Sequence, residues 1–129
     1  MKSTYFGRVN RAIDFIESNL DRNITLEELA EVANFPRFHF HRIFSAATGE
    51  TLFQFIQRVR LERAASLLLQ DTDRPITDIA LDYGFSSSAV FARSFKNNFG
   101  MSASKWRDGG YIEFSKQRKM VSNNSETLR

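Results

Sequence analysis

The chain has 129 residues, 42% of them hydrophobic, which is enough to bury the core of one ordinary domain or of two very small ones. It carries 18 Lys and Arg against 15 Asp and Glu, and this net charge of +3 is compatible with a polyanionic partner without identifying one. The absence of cysteine excludes disulfide frameworks, thiolate zinc sites and a cysteine nucleophile. The start lacks a signal-peptide core, and no run approaches the roughly 18 apolar residues that span a bilayer, so we expect a cytoplasmic protein with no membrane partner.

The first thirty-three residues predict two helices. Apolar residues recur in the first helix at intervals of three and four, at Phe6, Val9, Ile13, Ile16 and Leu20. The second helix begins at a capping box, in which the Thr25 hydroxyl and the Glu28 carboxylate each bind a backbone N–H group of the other residue. It ends near Ala33.

The stretch from Pro36 to Thr48 predicts a third helix with two faces. Asn34 tolerates the left-handed backbone of a tight turn before it, and Gly49 closes it. One stripe at helical spacing consists of Phe40, Ile43, Phe44 and Ala47. A second stripe, rotated away from the first, consists of Phe38, His41, Arg42 and Ser45. We expect the first stripe to pack against the protein and the second to be free to bind.

The second half of the chain predicts four more helices. Residues 51–70 contain neither Gly nor Pro and predict one long helix, with an apolar stripe at Leu52, Phe55, Ile56, Val59, Leu61, Ala65 and Leu68. A short fifth helix holds Ile79, Ala80 and Tyr83. The sixth runs from about Ser87 to Asn98, with Gly100 closing it. Ser102 caps a short seventh helix that holds Trp106.

Two segments of the chain repeat each other. Residues 24–35 align with residues 76–85, which have two residues fewer, and each segment is followed by a helix with the same pattern. Phe40, Arg42, Phe44 and Gly49 correspond to Phe91, Arg93, Phe95 and Gly100. A helix, a tight turn and a second helix make the helix-turn-helix motif, whose second helix can lie in the DNA major groove. The repeat therefore predicts two DNA-binding units.

The spacing of the two motifs fits one DNA duplex. Successive major grooves on one face of B-DNA lie roughly 34 Å apart, and a helix of about twenty residues is roughly 30 Å long. We expect the fourth helix to act as a spacer that lets both motifs reach adjacent grooves. Because one chain carries two binding helices, we expect a monomer.

Arginine at the same outward place in both copies is the main candidate for contact with DNA. The guanidinium groups of Arg42 and Arg93 can donate two parallel bonds to guanine, although each could instead be a solvated surface charge. The candidates for phosphate contacts are Arg37, Lys96, Lys105 and Arg107. Each of these could instead be a solvated surface charge.

The outward face of the second copy has less capacity to read bases. It consists of Ala89, Ala92, Arg93 and Lys96, with Ser88 just before it. Its alanines offer methyl groups but no hydrogen bonds. We therefore expect this copy to contribute mainly phosphate anchoring and shape selection, while the third helix discriminates sequence.

Residues 79–107 resemble the signature of the AraC/XylS family of bacterial transcription regulators. They contain I-A, then G-F, F-x-R-x-F-K, a glycine, and an aromatic residue followed by Arg, and the likeness extends over residues 5–107. Ala103 departs from the family, which commonly has proline there. The chain leaves no room for a sensory domain, so it is most similar to the small stand-alone members of MarA and SoxS type.

The resemblance implies how such a protein would act. It implies two helix-turn-helix subdomains, binding to double-stranded promoter DNA, contact with RNA polymerase and activation of transcription. It also implies that His41 and Phe38 read DNA, the histidine through a base edge and the phenylalanine through a thymine methyl group or a sugar. For Phe38, packing in the core remains the alternative.

We expect subdomains at residues 1–50 and 71–107, a linker helix at 51–70 and a flexible tail at 108–129. That tail could be a true end or a truncated connection to an effector domain. No pattern of catalytic residues, cofactor site or metal site is present. His39 and His41 point in different directions on a helix, with no other His or Cys to complete a site. A purely protein-binding helical module remains the alternative to DNA binding.

Overall fold

The computed structural model of the chain describes residues 4–118. This part of the chain contains no strand. Its helices are, in chain order, α1 (Tyr5–Ser18), α2 (Leu26–Ala33), α3 (Arg37–Thr48), α4 (Leu52–Gln70), α5 (Ile76–Asp82), α6 (Ser88–Phe99) and α7 (Ala103–Lys105), and residues 111–118 are helical as well. The predicted all-α fold is confirmed, with the helices in the predicted order. None of the helices described here is long and apolar enough to cross a membrane.

Short-range signals set the ends of the helices around the first turn. The Thr25 hydroxyl accepts a hydrogen bond from the Glu28 N–H group at 3.1 Å, and the Thr25 N–H group donates to the Glu28 carboxylate at 2.9 Å, which confirms the capping box. Asn34 has φ of 58°, in the left-handed region. Gly49 ends α3 with φ of 79°. Each of these residues was identified from the sequence because its partners lie within a few residues.

The first of two compact units comprises the residues up to Glu62 together with Asp82–Gly84. Its buried core consists of Val9, Ala12, Ile16, Leu20, Leu29, Ala30, Ala33, Phe35, Phe40, Phe44 and Phe55. Phe6 shares the apolar spacing of α1 but lies outside this core, since its side chain is 70% exposed. The buried face of α1 is centred on Val9, Ala12 and Ile16, and at 100° per residue Phe6 lies at the edge of that face.

The second unit comprises Arg63–Leu81 and the residues from Phe85 onward. Its buried residues include Ala64, Ala65, Leu68, Ile79, Ala80, Phe85, Phe91, Phe95, Phe99, Ala103 and Trp106. The indole N–H group of Trp106 donates to the Ala65 carbonyl at 3.0 Å, which ties the segment just after α7 to α4.

The long helix α4 takes part in both units and is not a separate linker. Its first half contributes Phe55 to the core of the first unit, and its second half contributes Ala65 and Leu68 to the buried residues of the second. This double role accounts for the apolar residues that follow the whole length of the helix in the sequence.

The segment after α7 is helical, which corrects the prediction of a flexible tail for residues 108–118. A π-helical turn covers Trp106–Gly110, and residues 111–118 continue as helix. Gly109 has φ of 117°, which is not helical, so the chain is kinked at this glycine before the helical residues 111–118. The Phe114 ring lies 5.3 Å from the rings of both Phe99 and Trp106. The rest of the predicted tail, residues 119–129, lies outside the described residues.

Candidate DNA-binding helices

The chain contains two helix-turn-helix motifs, α2–α3 and α5–α6, with the same local construction. After α2, the Phe35 N–H group donates to the Ala30 carbonyl at 2.9 Å; after α5, the Phe85 N–H group donates to the Ala80 carbonyl at 3.1 Å. The turn residue before each phenylalanine has a left-handed backbone, with φ of 58° at Asn34 and 85° at Gly84. The repeat found in the sequence is therefore a repeat of backbone conformation.

A matching row of aromatic rings supports the second helix of each motif. In the first unit, the Phe40 ring lies 6.5 Å from Phe35 and 5.7 Å from Phe44. In the second unit, the corresponding distances from Phe91 are 5.0 Å to Phe85 and 5.6 Å to Phe95. Because these rings occupy one side of α3 and of α6, the opposite side of each helix is left for solvent or a ligand.

The outward face of α3 carries three exposed side chains that were predicted to bind DNA. Phe38 is 84% exposed, so the alternative of core packing is wrong. His41 and Arg42 are exposed one turn further along. In residues 4–118, no group of three or more His, Asp or Glu side chains is arranged to hold a metal ion.

Ser45 does not belong to this exposed face, which corrects its prediction as a DNA contact. The residue is half-buried, and its hydroxyl oxygen is buried without a hydrogen-bond partner in the described part of the chain. Its sequence position places it on the outward stripe, but the hydroxyl group lies against the protein. DNA in the groove would not reach this oxygen without a change of side-chain conformation.

Arg42 is held in no ion pair or hydrogen bond with any residue between 4 and 118. It borders a shallow groove of about 330 Å³, whose other lining residues are Tyr5, Phe6, Ile43, Ala46 and Ala47. The guanidinium donors are thus available to a ligand, and the surface beside them is apolar. A base edge has both kinds of group, since it combines hydrogen-bond acceptors with a flat or methylated surface.

Arg37, at the start of α3, has weak partners. One guanidinium nitrogen lies 3.5 Å from a carboxylate oxygen of Glu27, and its carbon lies 5.8 Å from the centre of the Phe38 ring. Both members of the ion pair are more than half exposed. Exposed pairs of this kind contribute about 0–1 kcal/mol, so a phosphate could replace Glu27 as the partner.

The outward face of α6 is exposed at every position predicted to bind DNA. These positions are Ser88, Ala89, Ala92, Arg93 and Lys96. The Ser87 hydroxyl accepts from the Val90 N–H group at 3.2 Å, so it caps the helix. Within residues 4–118, Arg93 resembles Arg42 in having no ion-pair partner. Arg93 and Lys96 are the two cations that this face presents.

Other arginines serve the fold. Arg107 was a candidate for a phosphate contact, but its guanidinium donates to the carbonyls of Leu68 and Asp71, each at 3.0 Å, at the end of α4. This corrects its assignment, because cations near a helix C-terminus satisfy carbonyls that lack partners in the helix.

Arg58 and Arg60 on α4 differ in what they bind. Arg58 pairs with Glu50 at 2.8 Å and with Glu62 at 2.9 Å, and the hydrogen bonds to Glu50 contribute most to raising its pKa. Arg60 donates instead to the carbonyls of Leu20 at 3.2 Å and Arg22 at 2.8 Å. Burial lowers the pKa of Arg60.

Sequence reasoning missed Arg8, which binds the turn of the first motif. Its guanidinium Nε donates to the Ala33 carbonyl at 3.0 Å, and its Nη2 donates to the Asn34 carbonyl. The sequence feature that could have indicated this role is the position of Arg8, a cation between Tyr5 and Val9 on the side of α1 that packs against the protein. A charged residue at such a place needs polar partners, and backbone carbonyls at a turn can supply them.

The comparisons with known proteins agree with this geometry. The family described as a helix-turn-helix domain matches residues 29–109. The HTH-type transcriptional regulator YbfP of Bacillus subtilis is 41% identical over 103 residues, which cover 80% of this chain and 35% of YbfP. The probable transcription factor PqrA of Proteus vulgaris is 39% identical over 104 residues, which cover 79% of this chain and 84% of PqrA.

A solved structure shows the same relationship. The crystal structure of a probable AraC family transcriptional regulator from Rhodopseudomonas palustris is 31% identical, with a TM-score of 0.71, and the match covers 78% of this chain and 94% of that one. The resemblance noted from residues 79–107 is confirmed. The chain belongs to the AraC-type family of helix-turn-helix, DNA-binding transcription regulators.

Proposed function

We propose that the chain regulates transcription from the cytoplasm by binding a specific double-stranded promoter sequence, with α3 and α6 each in a major groove. One observation carries the proposal: each helix-turn-helix presents, on the exposed side of its second helix, an arginine without an ion-pair partner in residues 4–118. Two such helices in one chain provide two half-site contacts without a second subunit, so the regulator acts as a monomer.

The helices α3 and α6 have different roles in DNA binding. Arg42 donates to guanine O6 and N7, while His41 contacts a base edge and Phe38 a thymine methyl group or a sugar. Arg37 exchanges its weak partner Glu27 for a phosphate. Arg42, His41 and Phe38 make α3 the helix that discriminates sequence, while Arg37 helps to position it.

The face of α6 anchors the second half-site. Ser88, Arg93 and Lys96 contact the sugar-phosphate backbone, and the methyl groups of Ala89 and Ala92 lie against the bases. Selectivity in this half-site comes mainly from the shape and deformability of the DNA. The 19-residue helix α4 is roughly 28 Å long, close to the roughly 34 Å between successive major grooves.

The experiment that tests base reading uses Arg42→Ala on two duplexes. The site is first identified by sequencing the promoter fragments that the protein protects in cells. We expect the variant to lose roughly 1–3 kcal/mol on this site and much less on a scrambled duplex. Arg63→Ala, which removes an exposed cation from α4, controls for the loss of one positive charge. Equal losses on both duplexes would mean that Arg42 binds phosphate.

Salt dependence separates DNA binding from a purely protein-binding role. The logarithm of the affinity should fall linearly with the logarithm of salt concentration, with a slope set by the number of phosphates neutralised. A chain with no duplex affinity at any salt concentration would contradict the proposal. We also propose that the bound protein contacts RNA polymerase and activates it. Transcription in vitro from the protected promoter, with and without the protein, tests this step.

A further inference from the structure

The turn between α2 and α3 is bound by a side chain from outside the motif. Arg8, on α1, donates through Nε to the Ala33 carbonyl at 3.0 Å and through Nη2 to the Asn34 carbonyl. The carbon of the same guanidinium group lies 3.7 Å from the centre of the Phe35 ring. Three consecutive residues, the last of α2 and the two that follow, are therefore in contact with one half-buried cation.

A neighbouring ring holds this arrangement in place. The Tyr5 ring meets the Phe35 ring edge to face, with their centres 5.3 Å apart, and the Arg8 guanidinium carbon lies 5.9 Å from the centre of the Tyr5 ring. Cations stack on such rings favourably, and an arginine donates from fixed directions in one plane. The first turn of α1 thus determines where the chain can enter α3.

The start of α3 also lacks a cap of its own. The N-cap residue is Pro36, and no side chain caps the helix there. By contrast, the Ser87 hydroxyl caps α6 at its Val90 N–H group. The two recognition helices therefore begin differently: a side chain fixes the first turn of α6, whereas no side chain caps the first turn of α3.

We propose that Arg8 is a positioning residue for DNA recognition: it sets the direction in which α3 leaves the turn, and through this it sets the sequence discrimination by Arg42. The inference rests on the proposed function of α3. Arg8 acts through the turn, and its donors bind backbone carbonyls of the protein.

Loosening the turn should affect base reading more than phosphate binding. A bidentate contact with guanine requires the helix to be held within about 0.5 Å and 10–20° of its productive geometry. Long cationic side chains can follow a phosphate over a larger range, and they supply most of the binding to unrelated sequences. A misdirected α3 therefore loses specific affinity while it retains affinity for scrambled DNA.

The test compares Arg8→Met, Arg8→Lys and the control Arg63→Ala with the wild-type protein. The measurement is the ratio of affinities for the protected promoter site and for a scrambled duplex of the same length and at the same salt concentration. We expect Arg8→Met to reduce this ratio about tenfold, with scrambled-duplex affinity changed no more than in Arg63→Ala. Arg8→Lys keeps the charge and part of the hydrogen bonding, and should reduce the ratio about threefold.

Hydrogen exchange in the free protein checks the physical cause. The Phe35 amide, which is bonded to the Ala30 carbonyl at 2.9 Å, should exchange about tenfold faster in Arg8→Met, while the amides of α6 keep their wild-type rates. If Arg8→Met loses helix content as judged by circular dichroism, the ratio for Arg8→Lys carries the test.

The outcomes separate this inference from the proposed function. An unchanged ratio in Arg8→Met, or equal losses on both duplexes, would overturn the role of Arg8 and leave DNA reading by α3 intact. A wild-type protein that binds both duplexes equally would overturn the proposed function and this inference with it.

Discussion

Replacing Gly84 with alanine should destabilise the protein through a defined contact. A Cβ atom at this position would lie 2.9 Å from Nη1 and 3.0 Å from the guanidinium carbon of Arg60. The guanidinium cannot move away freely, because it donates to the carbonyls of Leu20 and Arg22 at 3.2 Å and 2.8 Å. The substitution therefore has a steric cost in addition to its conformational one.

The chain contains a matched control for the conformational cost. Gly49 has φ of 79°, close to the 85° of Gly84, but a Cβ atom there would meet no heavy atom within 4 Å. Placing an L-residue in the left-handed region costs about 1–2 kcal/mol, and we expect that for Gly49→Ala. Gly84→Ala should cost about 1–3 kcal/mol more, since hydrogen bonds from a charged donor must be strained or broken.

The assay is chemical denaturation followed by far-ultraviolet circular dichroism, with both substitutions also made in an Arg60→Ala background. In that background the extra cost of Gly84→Ala should disappear, because the atoms that it would meet are gone. The reasoning is refuted if the two glycine substitutions cost the same in the wild-type background, or if the difference persists without Arg60.

Two further predictions concern charged groups outside the DNA-binding face. The hydrogen bond from Arg22 contributes most to lowering the pKa of Glu28 from 4.5 to about 2. The ionised Glu28 carboxylate should therefore stabilise the protein fully above pH 4.5, and this stabilisation should be lost as the pH falls towards 2. The difference in the free energy of unfolding between wild type and Glu28→Gln, measured from pH 6 to 2, should shrink over that range. Arg107→Met removes the hydrogen bonds to the Leu68 and Asp71 carbonyls, so it should lower the free energy of unfolding by about 1–3 kcal/mol. The slope of log affinity for DNA against log salt concentration should stay unchanged. A smaller slope with unchanged stability would instead indicate that Arg107 contacts phosphate.

The local geometry around the two turns was predictable because its causes lie close together in the chain. The capping box at Thr25 and the left-handed residues at Asn34 and Gly84 involve contacts within a few residues. The same is true of the buried and exposed sides of α3, which follow from helical periodicity except at Ser45. Periodicity places Ser45 on the outward side, yet its hydroxyl oxygen is buried, and the helical period does not account for this.

The roles of the arginines could not be predicted in the same way. Arg42 and Arg107 look alike in the sequence, since each lies in a predicted helical segment within two residues of an aromatic side chain, Phe40 or Trp106. One has no ion-pair partner among the described residues, while the other binds the Leu68 carbonyl 39 residues away. Likewise Arg60 reaches Leu20 over 40 residues and Arg8 reaches Ala33 over 25. A long flexible side chain can select any of several partners, and only the packed chain determines which one is near.

By itself, the sequence determined the helices, their caps and the doubled helix-turn-helix, because hydrogen bonds and apolar periodicity within a few residues specify each of them. Tertiary structure alone decided which cations have no ion-pair partner in residues 4–118 and which hold the protein together. It also decided that α4 packs in both units. The contact between the Phe114 and Trp106 rings, which packs the helical residues 111–118 against the second unit, likewise depends on tertiary structure. The physical reason is the same in each case: the partners are carbonyls and rings that come close only when segments remote in the sequence pack together.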